Sequence, residues 1–222
     1  MKNILLPFIL LFFAFQVNCQ VTNDINARRI SLPNGWQLTP AGKIITLGDF
    51  PLNIAISPDR KLAAVTNNGQ STQTIQLIDL KKEIVTDSVI IGKSWLGLAF
   101  SSDGKSLYAS GGNDNFIIKY SINKKELVNS DTIKLGLPWP EKISIAGIAI
   151  DDKKQVLYTV TKENNSLYSI DLITKQIITQ VPLGGEGYTC ILSPDRKFLY
   201  ATCWGCDKVV VFDTYLQKIT GS

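Results

Sequence analysis

One pattern of residues occurs four times in this chain and limits its fold more than any other feature. Each copy has a short apolar run, a polar turn, a second apolar run, a polar loop and a third apolar run. The turns align at residues 57–61, 101–105, 151–154 and 193–197, and their first residues are 44, 50 and 42 positions apart. Short strands that recur every ~40–45 residues are typical of the blades of a β-propeller.

The pattern inside each copy indicates strands and no helices. Apolar and polar residues follow the period of two that β-strands require. The sequence therefore predicts an all-β chain, a β-propeller of four-stranded blades at about residues 49–92, 93–136, 137–184 and 185–222. We expect the fourth blade to be incomplete, because the chain stops where its outer strand would begin. Residues 43–47 are predicted to be the last strand of a preceding blade.

The blade count has two interpretations, because propellers close with roughly four to eight blades. In the first, residues 43–47 pair beside residues 208–214 and close a four-bladed ring. In the second, which we favour, the chain is a fragment of a longer propeller, with three full blades plus partial ones. The closed ring would leave residues 215–222 unused.

The first twenty residues have the composition of a secretory signal peptide. Lys2 precedes twelve residues without charge, Ile4 to Phe15, and Cys19 follows shortly after them. Twelve residues are too few to span a bilayer, which needs about 20. We expect residues 1–19 to be the signal peptide, residues 20–42 a lead-in and residues 43–222 the propeller repeats of a periplasmic or secreted protein. Lipid attachment at Cys19 is the alternative, and no transmembrane segment is predicted.

The absence of histidine removes several kinds of catalytic site. Ser-His-Asp and Cys-His pairs need this residue, as do histidine-bearing zinc sites. The recurring aspartates occupy one position of the turns, where their role is turn formation: Asp59, Asp103, Asp152 and Asp195. The net charge of +4 comes from scattered side chains and forms no basic stripe, so no nucleic-acid partner is expected. The sequence predicts no catalytic residue, no metal site and no cofactor.

Cys203 and Cys206 have the C-x-x-C spacing of redox dithiols. In redox proteins this motif opens a helix after a strand, whereas here it lies between two predicted strands. We therefore interpret it as structural, and a local disulfide is the alternative in an oxidising compartment.

The loops that join second to third strands, and those that join one blade to the next, are expected to emerge on one face. Aromatic side chains beside amides and charges are typical of recognition surfaces, and loops on a rigid scaffold often carry function. The candidate binding residues on this face are Asn67, Gln70, Lys93, Trp95, Asn113, Trp139, Lys142, Tyr188 and Trp204. Trp139 is the strongest single candidate, because only one copy has its insertion. The alternative is that the tryptophans pack between neighbouring blades.

Several stretches also carry a family resemblance. Residues 107–110, 157–160 and 199–202 read LYAS, LYTV and LYAT, and residues 65–68 read VTNN. These stretches resemble YVTN-type β-propeller repeats. The segments GKSWLGLAF at 92–100, SGGNDN at 110–115 and PWP at 138–140 are similar to a narrower group. In that group of exported bacterial proteins, a YncE-like propeller precedes an alkaline-phosphatase-superfamily phosphoesterase domain.

The resemblance implies that the parent protein is a metal-dependent phosphoesterase whose catalytic domain lies outside this chain. We therefore expect a non-catalytic scaffold or binding module of an exported protein. Its partner would be an unidentified ligand, a protein, or the adjoining phosphoesterase domain. The alternative is a hydrolase of the propeller-lactonase type that uses acidic residues in the central channel. The apolar inner strands and the turn positions of Arg60 and Arg196 disfavour that alternative.

Overall fold

A computed structural model describes residues 29–39 and 42–222. The chain forms two compact units, Met1–Ile44 and Ile45–Ser222. In the first unit, strands β1 (Ile30–Ser31) and β2 (Gln37–Leu38) pair antiparallel, with Ile30 opposite Leu38. The predicted signal peptide, residues 1–19, lies outside the described residues.

The second unit contains four antiparallel sheets, each built from four consecutive strands in sequence order. Blade 1 consists of β3 (Pro51–Ile56), β4 (Leu62–Asn67), β5 (Thr74–Asp79) and β6 (Ile84–Ile90). Blade 2 consists of β7 (Leu98–Phe100), β8 (Ser106–Ser110), β9 (Phe116–Asn123) and β10 (Glu126–Lys134). Blade 3 consists of β11 (Ile145–Asp151), β12 (Val156–Thr161), β13 (Ser166–Asp171) and β14 (Ile177–Pro182). Blade 4 consists of β15 (Glu186–Leu192), β16 (Phe198–Trp204), β17 (Val209–Asp213) and β18 (Lys218–Gly221).

The all-β prediction is confirmed, and two details of it are wrong. Blade 4 is complete, because β18 pairs with β17 and places Ile219 opposite Phe212. This strand has only four residues, too few for its alternation to be recognised in the sequence. Residues 43–47 form no strand. Instead, Ile45 and Leu47 pack on the apolar face of blade 1 that contains Val65 and Ile78.

The closed four-bladed ring is also wrong. It requires residues 43–47 beside the third strand of blade 4, but the neighbours of β17 are β16 and β18. Blades 1 to 4 follow one another as in a propeller, and the first strands β3, β7, β11 and β15 contact each other in that order.

The hydrophobic core lies between consecutive blades. Tyr108 of blade 2 shares a cluster with Leu157 of blade 3, and Tyr158 of blade 3 shares one with Phe212 of blade 4. A further cluster joins blades 1 and 2. Each side chain of this size contributes roughly 1.5–3 kcal/mol when it is fully buried. Coverage on both faces explains why the second strands of blades 1 to 3 are buried at nearly every position.

Blade 4 carries an apolar face that none of the other blades covers. Tyr200 occupies the repeat position of Tyr108 and Tyr158, which are 4% and 0% exposed, yet Tyr200 itself is 39% exposed. Its cross-strand partner Ile191 is 68% exposed. The difference arises because blades 2 and 3 each have a following blade, whereas none of the described blades packs on this side of blade 4.

The Ser-x-Asp turns of blades 1, 2 and 4 form as the sequence predicts, whereas the prediction for Asp152 of blade 3 is wrong. There Asp151 Oδ1 accepts the Lys153 N–H of the turn at 3.1 Å, and Asp152 Oδ2 instead accepts the Ser102 N–H of blade 2 at 2.6 Å. Ser57 Oγ donates a hydrogen bond of 2.8 Å to Asp59 Oδ1, and the Lys61 N–H donates one of 3.1 Å to the same oxygen. Asp103 and Asp195 accept the corresponding bonds in blades 2 and 4. The serine hydroxyl bond, followed by the backbone bond, lowers the pKa of all three aspartates. These carboxylates are therefore committed to turn formation.

Candidate ligand-binding face

The candidate site lies where the second strands end and the following first strands begin, and we call this side the loop face. In blades 1, 3 and 4, a register shift interrupts the pairing of the first two strands at this end. Such β-bulges bend the strand and redirect side chains, and they are common next to functional sites.

A cavity of about 230 Å³ opens on the loop face. Its walls come from blades 1, 2 and 3 and from the connections between them, and they include Gln73, Lys93, Trp95, Asn113, Lys162 and Glu163. Three of these residues, Lys93, Trp95 and Asn113, are among the candidates that the sequence indicates. The lining combines amides, opposite charges and one indole, which suits a polar ligand more than an apolar one.

Lys162 is the central feature of the cavity and was not predicted. Its Nζ lies 6.0 Å from the ring centroid of Trp95 and 5.9 Å from that of Trp204. Cation–π contacts of this kind contribute about 0.5–2 kcal/mol. The backbone N–H of Lys162 donates a 2.8 Å hydrogen bond to the carbonyl of Ser144, which fixes the loop that carries the lysine. Lys162 thus joins two predicted tryptophans that belong to different blades.

Trp95 is half-buried. It both lines the cavity and packs between blades, the two roles that the sequence analysis considers for the tryptophans. Its ring packs against the cluster between blades 3 and 4, so it contributes to packing. The Nε1 atom is buried and has no hydrogen-bond partner among the described residues, so the indole retains a free donor. Trp204 is more exposed and makes an edge-on contact with Tyr188, at 5.5 Å between ring centroids.

Asn67 and Gln70 lie outside the cavity. Asn67 is buried, and its Nδ2 donates to Thr74 Oγ1 at 3.0 Å and to Gln76 Oε1 at 2.9 Å. The amide nitrogen is therefore occupied inside blade 1, and Oδ1 is buried without a partner among the described residues, while the neighbouring Asn68 lines the cavity. The backbone N–H of Gln70 donates to Asp49 Oδ2 at 2.8 Å.

The insertion before blade 3 forms an ordered rim beside the cavity. Asn115, which has a φ of 56°, donates from Nδ2 to the carbonyls of Leu137 and Glu141 at 2.6 and 2.8 Å. Trp139 is 51% exposed, and its backbone N–H donates a hydrogen bond to the carbonyl of Asn113, a residue that lines the cavity. Lys142 Nζ lies 5.6 Å from the Trp139 ring centroid. The structure thus brings Trp139 and Lys142 together, at the edge of the cavity and not within it.

One lysine of the cavity lining, Lys93, forms an ion pair. Lys93 Nζ lies 3.3 Å from Asp114 Oδ1, so this lysine has a partner of its own. The cavity therefore contains one partnered cation, Lys93, and one cation, Lys162, that is held by aromatic rings.

The family comparison agrees with this architecture. A family model described as a YNCE-like beta-propeller matches residues 10–220. The chain belongs to the YNCE-like β-propeller family. This membership confirms the YncE-like part of the resemblance.

One curated relative and several solved structures show how far the similarity extends. The chain is 30% identical to Antigen Lp49 of Leptospira interrogans over 159 residues, which cover 66% of this chain and 32% of that protein. Hydrazine synthase of Kuenenia stuttgartiensis matches with a TM-score of 0.59 and 19% identity, over 81% of this chain and 52% of that chain. A protein from Desulfotomaculum acetoxidans matches with a TM-score of 0.63 and 14% identity, over 78% and 55%.

The RRP9 WD40 repeats match with a TM-score of 0.65 and 13% identity, over 79% of this chain and 52% of that chain. At these identities the solved structures show the propeller fold alone. The chain spans about a third of the curated relative and about half of each of these solved chains.

Three cysteines of this YNCE-like propeller, Cys190, Cys203 and Cys206, are free thiols in the described part of the chain. Burial raises the pKa of Cys190 to about 12. Burial, followed by a hydrogen bond with Cys206, raises the pKa of Cys203 to about 11. Reactive cysteines have lowered pKa values, so the geometry favours the structural interpretation of the C-x-x-C spacing.

The propeller-lactonase alternative finds no support in this geometry. Arg60 and Arg196 lie in the turns that join first to second strands, away from the loop face, and Arg196 pairs with Asp151 at 2.7 Å. The residues that the structure describes contain no group of three His, Cys, Asp or Glu side chains placed to hold a metal ion. In the same part of the chain, no helix has the length and apolar character needed to cross a membrane.

Proposed function

We propose that this chain is a non-catalytic binding module of an exported protein and that it recognises its partner through the loop face. The observation that carries the proposal is the polar cavity that Trp95 and Lys162 line, with Trp139 exposed at its rim. Trp204 contacts Lys162 from outside this cavity, where it lines an adjacent pocket with Tyr188. Exposed tryptophans beside positive charge are the side chains that dominate binding energy at recognition surfaces.

We further propose that the module belongs to a longer propeller that adjoins a phosphoesterase domain. Two observations support this proposal. Tyr200 and Ile191 leave an apolar sheet face that a further blade would cover, as Phe212 of blade 4 covers Tyr158 of blade 3. The loop sequences at 92–100 and 110–115 resemble propellers that precede such a domain.

Export is proposed from the composition of residues 1–19, with delivery to the periplasm or the medium. Expression of the full chain in a bacterium, followed by fractionation and mass measurement, tests this proposal. We expect a mature chain that has lost about 19 residues and is found outside the cytoplasm. A Cys19→Ala variant that loses a lipid-sized mass would indicate anchoring, and a full-length cytoplasmic chain would contradict export.

The partner proposal is tested with a phosphoesterase domain taken from a family protein in which it follows the propeller. Binding of the separate domain is measured by calorimetry for the wild type, Trp139→Ala and Trp36→Ala. Trp36 is the matched control, because it is 71% exposed and belongs to the other unit.

We expect Trp139→Ala to weaken binding by roughly 30-fold, the effect of losing a hot-spot side chain of about 2 kcal/mol. The Trp36→Ala variant should bind like the wild type, and both variants should keep the wild-type melting temperature within about 2 °C, because exposed substitutions change stability little. Equal affinities for all three proteins, or unfolding of Trp139→Ala, would remove Trp139 from the proposed surface.

A further inference from the structure

We propose that the cavity on the loop face binds a monosaccharide-sized ligand that carries one anionic group, and that this group contacts Lys162 Nζ. The inference rests on the proposed function, which makes the loop face a binding surface, and adds the chemical class of the ligand. Charge, hydrogen-bonding groups and size each support it.

The charge of Lys162 is available to a ligand. Its ammonium has no carboxylate within ion-pair distance among residues 29–39 and 42–222, whereas Lys93 is paired with Asp114. Contacts with the rings of Trp95 and Trp204 hold the side chain in place and leave its N–H donors unused. An anionic group placed there accepts charge-assisted hydrogen bonds, which are roughly twice as strong as neutral ones.

The rest of the lining suits hydroxyl groups. The side chains of Asn68, Asn113 and Ser144 line the cavity and make no hydrogen bond within the described chain. Gln73 accepts the Ser94 N–H at 2.6 Å through Oε1, which leaves its amide NH₂ free. Several neutral donors and acceptors around one space match the hydroxyl groups of a sugar ring.

Glu163 limits the charge of the ligand. Its carboxylate lines the same cavity and forms no ion pair in the described part of the chain. It can accept hydrogen bonds from hydroxyl groups, but it repels a second anionic group of the ligand. One anionic group, directed at Lys162, is therefore preferred over two.

The size of the cavity fits a single ring. A cavity of about 150 Å³ holds benzene. The space of about 230 Å³ here accommodates a six-membered ring with its hydroxyl groups. Because the cavity opens to solvent, the ring can also be the terminal unit of a longer glycan. The anionic group is a carboxylate in a uronic acid and a phosphate in a sugar phosphate, and the two sources are distinguished by experiment.

The test is calorimetric titration of the full chain with D-glucuronate, D-glucose 6-phosphate and D-glucose. We expect glucuronate, glucose 6-phosphate or both to bind at least about tenfold more tightly than glucose, since only the anionic sugars reach Lys162. Preference for one of the two identifies the source of the anionic group. In Lys162→Gln, the affinity for the anionic sugar should fall to that for glucose.

Lys61→Gln is the matched control, because Lys61 is an exposed lysine of a turn that joins first and second strands. It should leave all affinities unchanged. Equal binding of charged and neutral sugars, or an equal loss in Lys61→Gln and Lys162→Gln, would overturn the assignment of Lys162. Absence of binding by both anionic sugars at about 10 mM would overturn the ligand class.

The outcome is separable from that of the proposed function. If both anionic sugars fail to bind while Trp139→Ala still weakens binding of the phosphoesterase domain, only the ligand class is wrong. If Trp139→Ala has no effect while glucuronate binding depends on Lys162, the protein partner is wrong and the cavity assignment stands.

Discussion

Two tyrosines at one repeat position provide a matched test of how the blades stabilise each other. Tyr158 is 0% exposed and packs edge-on against Phe212 of the next blade, at 6.1 Å between ring centroids. Tyr200 has the same position in blade 4 and is 39% exposed. The perturbation is substitution of each tyrosine by alanine in the full chain.

The expected costs differ because the burial differs. Tyr158→Ala removes a fully buried ring and leaves a cavity between blades 3 and 4, which destabilises by about 3–5 kcal/mol. In a unit of this size, that loss lowers the melting temperature by about 10 °C. Tyr200→Ala removes a ring that none of the described blades covers. We expect it to lower the free energy of unfolding by about 1 kcal/mol, through the loss of strand propensity and of the remaining contacts.

The assay is thermal unfolding followed by circular dichroism. Tyr158→Phe is the control that keeps the ring, and it should cost less than about 1 kcal/mol. Equal losses for the two alanine variants would refute the reasoning, because they would show that the face around Tyr200 is covered in solution. In a longer family member with a following blade, the two alanine variants should instead become equally destabilising.

Three further predictions concern single sites. The pKa of Asp79 is lowered to about 2, first by the hydrogen bond from Lys125 and then by the one from the Lys82 N–H. The ionised carboxylate therefore stabilises the fold above about pH 4, and this stabilisation is lost as the pH falls toward 2. Asp79→Asn should flatten this part of a plot of melting temperature against pH. Asn115→Ala should cost about 2 kcal/mol and speed hydrogen exchange across residues 137–144, because three hydrogen bonds are lost. Gly147→Ala should cost about 1–3 kcal/mol in urea unfolding, since its Cβ would lie 2.6 Å from Thr189 Cα.

The sequence predicts the blades because the turns and the buried strands of each repeat can be recognised from that repeat alone. The Ser57 and Asp59 pattern reports a turn whose hydrogen bonds are local, and the apolar second strands report burial on both faces. Both patterns can be recognised without reference to the neighbouring blades. The sequence does not predict the complete fourth blade because β18, Lys218–Gly221, has only four residues, two of them exposed.

The candidate site is less predictable because it depends on contacts between blades. A lysine in a polar loop has no distinguishing pattern, and Lys162 gains its role only where blade 3 meets Trp95 and Trp204. Asn67 and Asn68 are adjacent in the sequence, yet only Asn68 lines the cavity. The direction of each side chain is set by the strand end and the β-bulge beside it, which the repeat pattern does not report.

The most direct test of the binding role uses the indole N–H signals of the four tryptophans. The nitrogen-labelled full chain is titrated with the separate phosphoesterase domain and followed by NMR. The account predicts that the signals of Trp95, Trp139 and Trp204 shift or broaden together while that of Trp36 stays unchanged. A titration that leaves the first three signals in place, or that moves only Trp36, would contradict a partner site on the loop face.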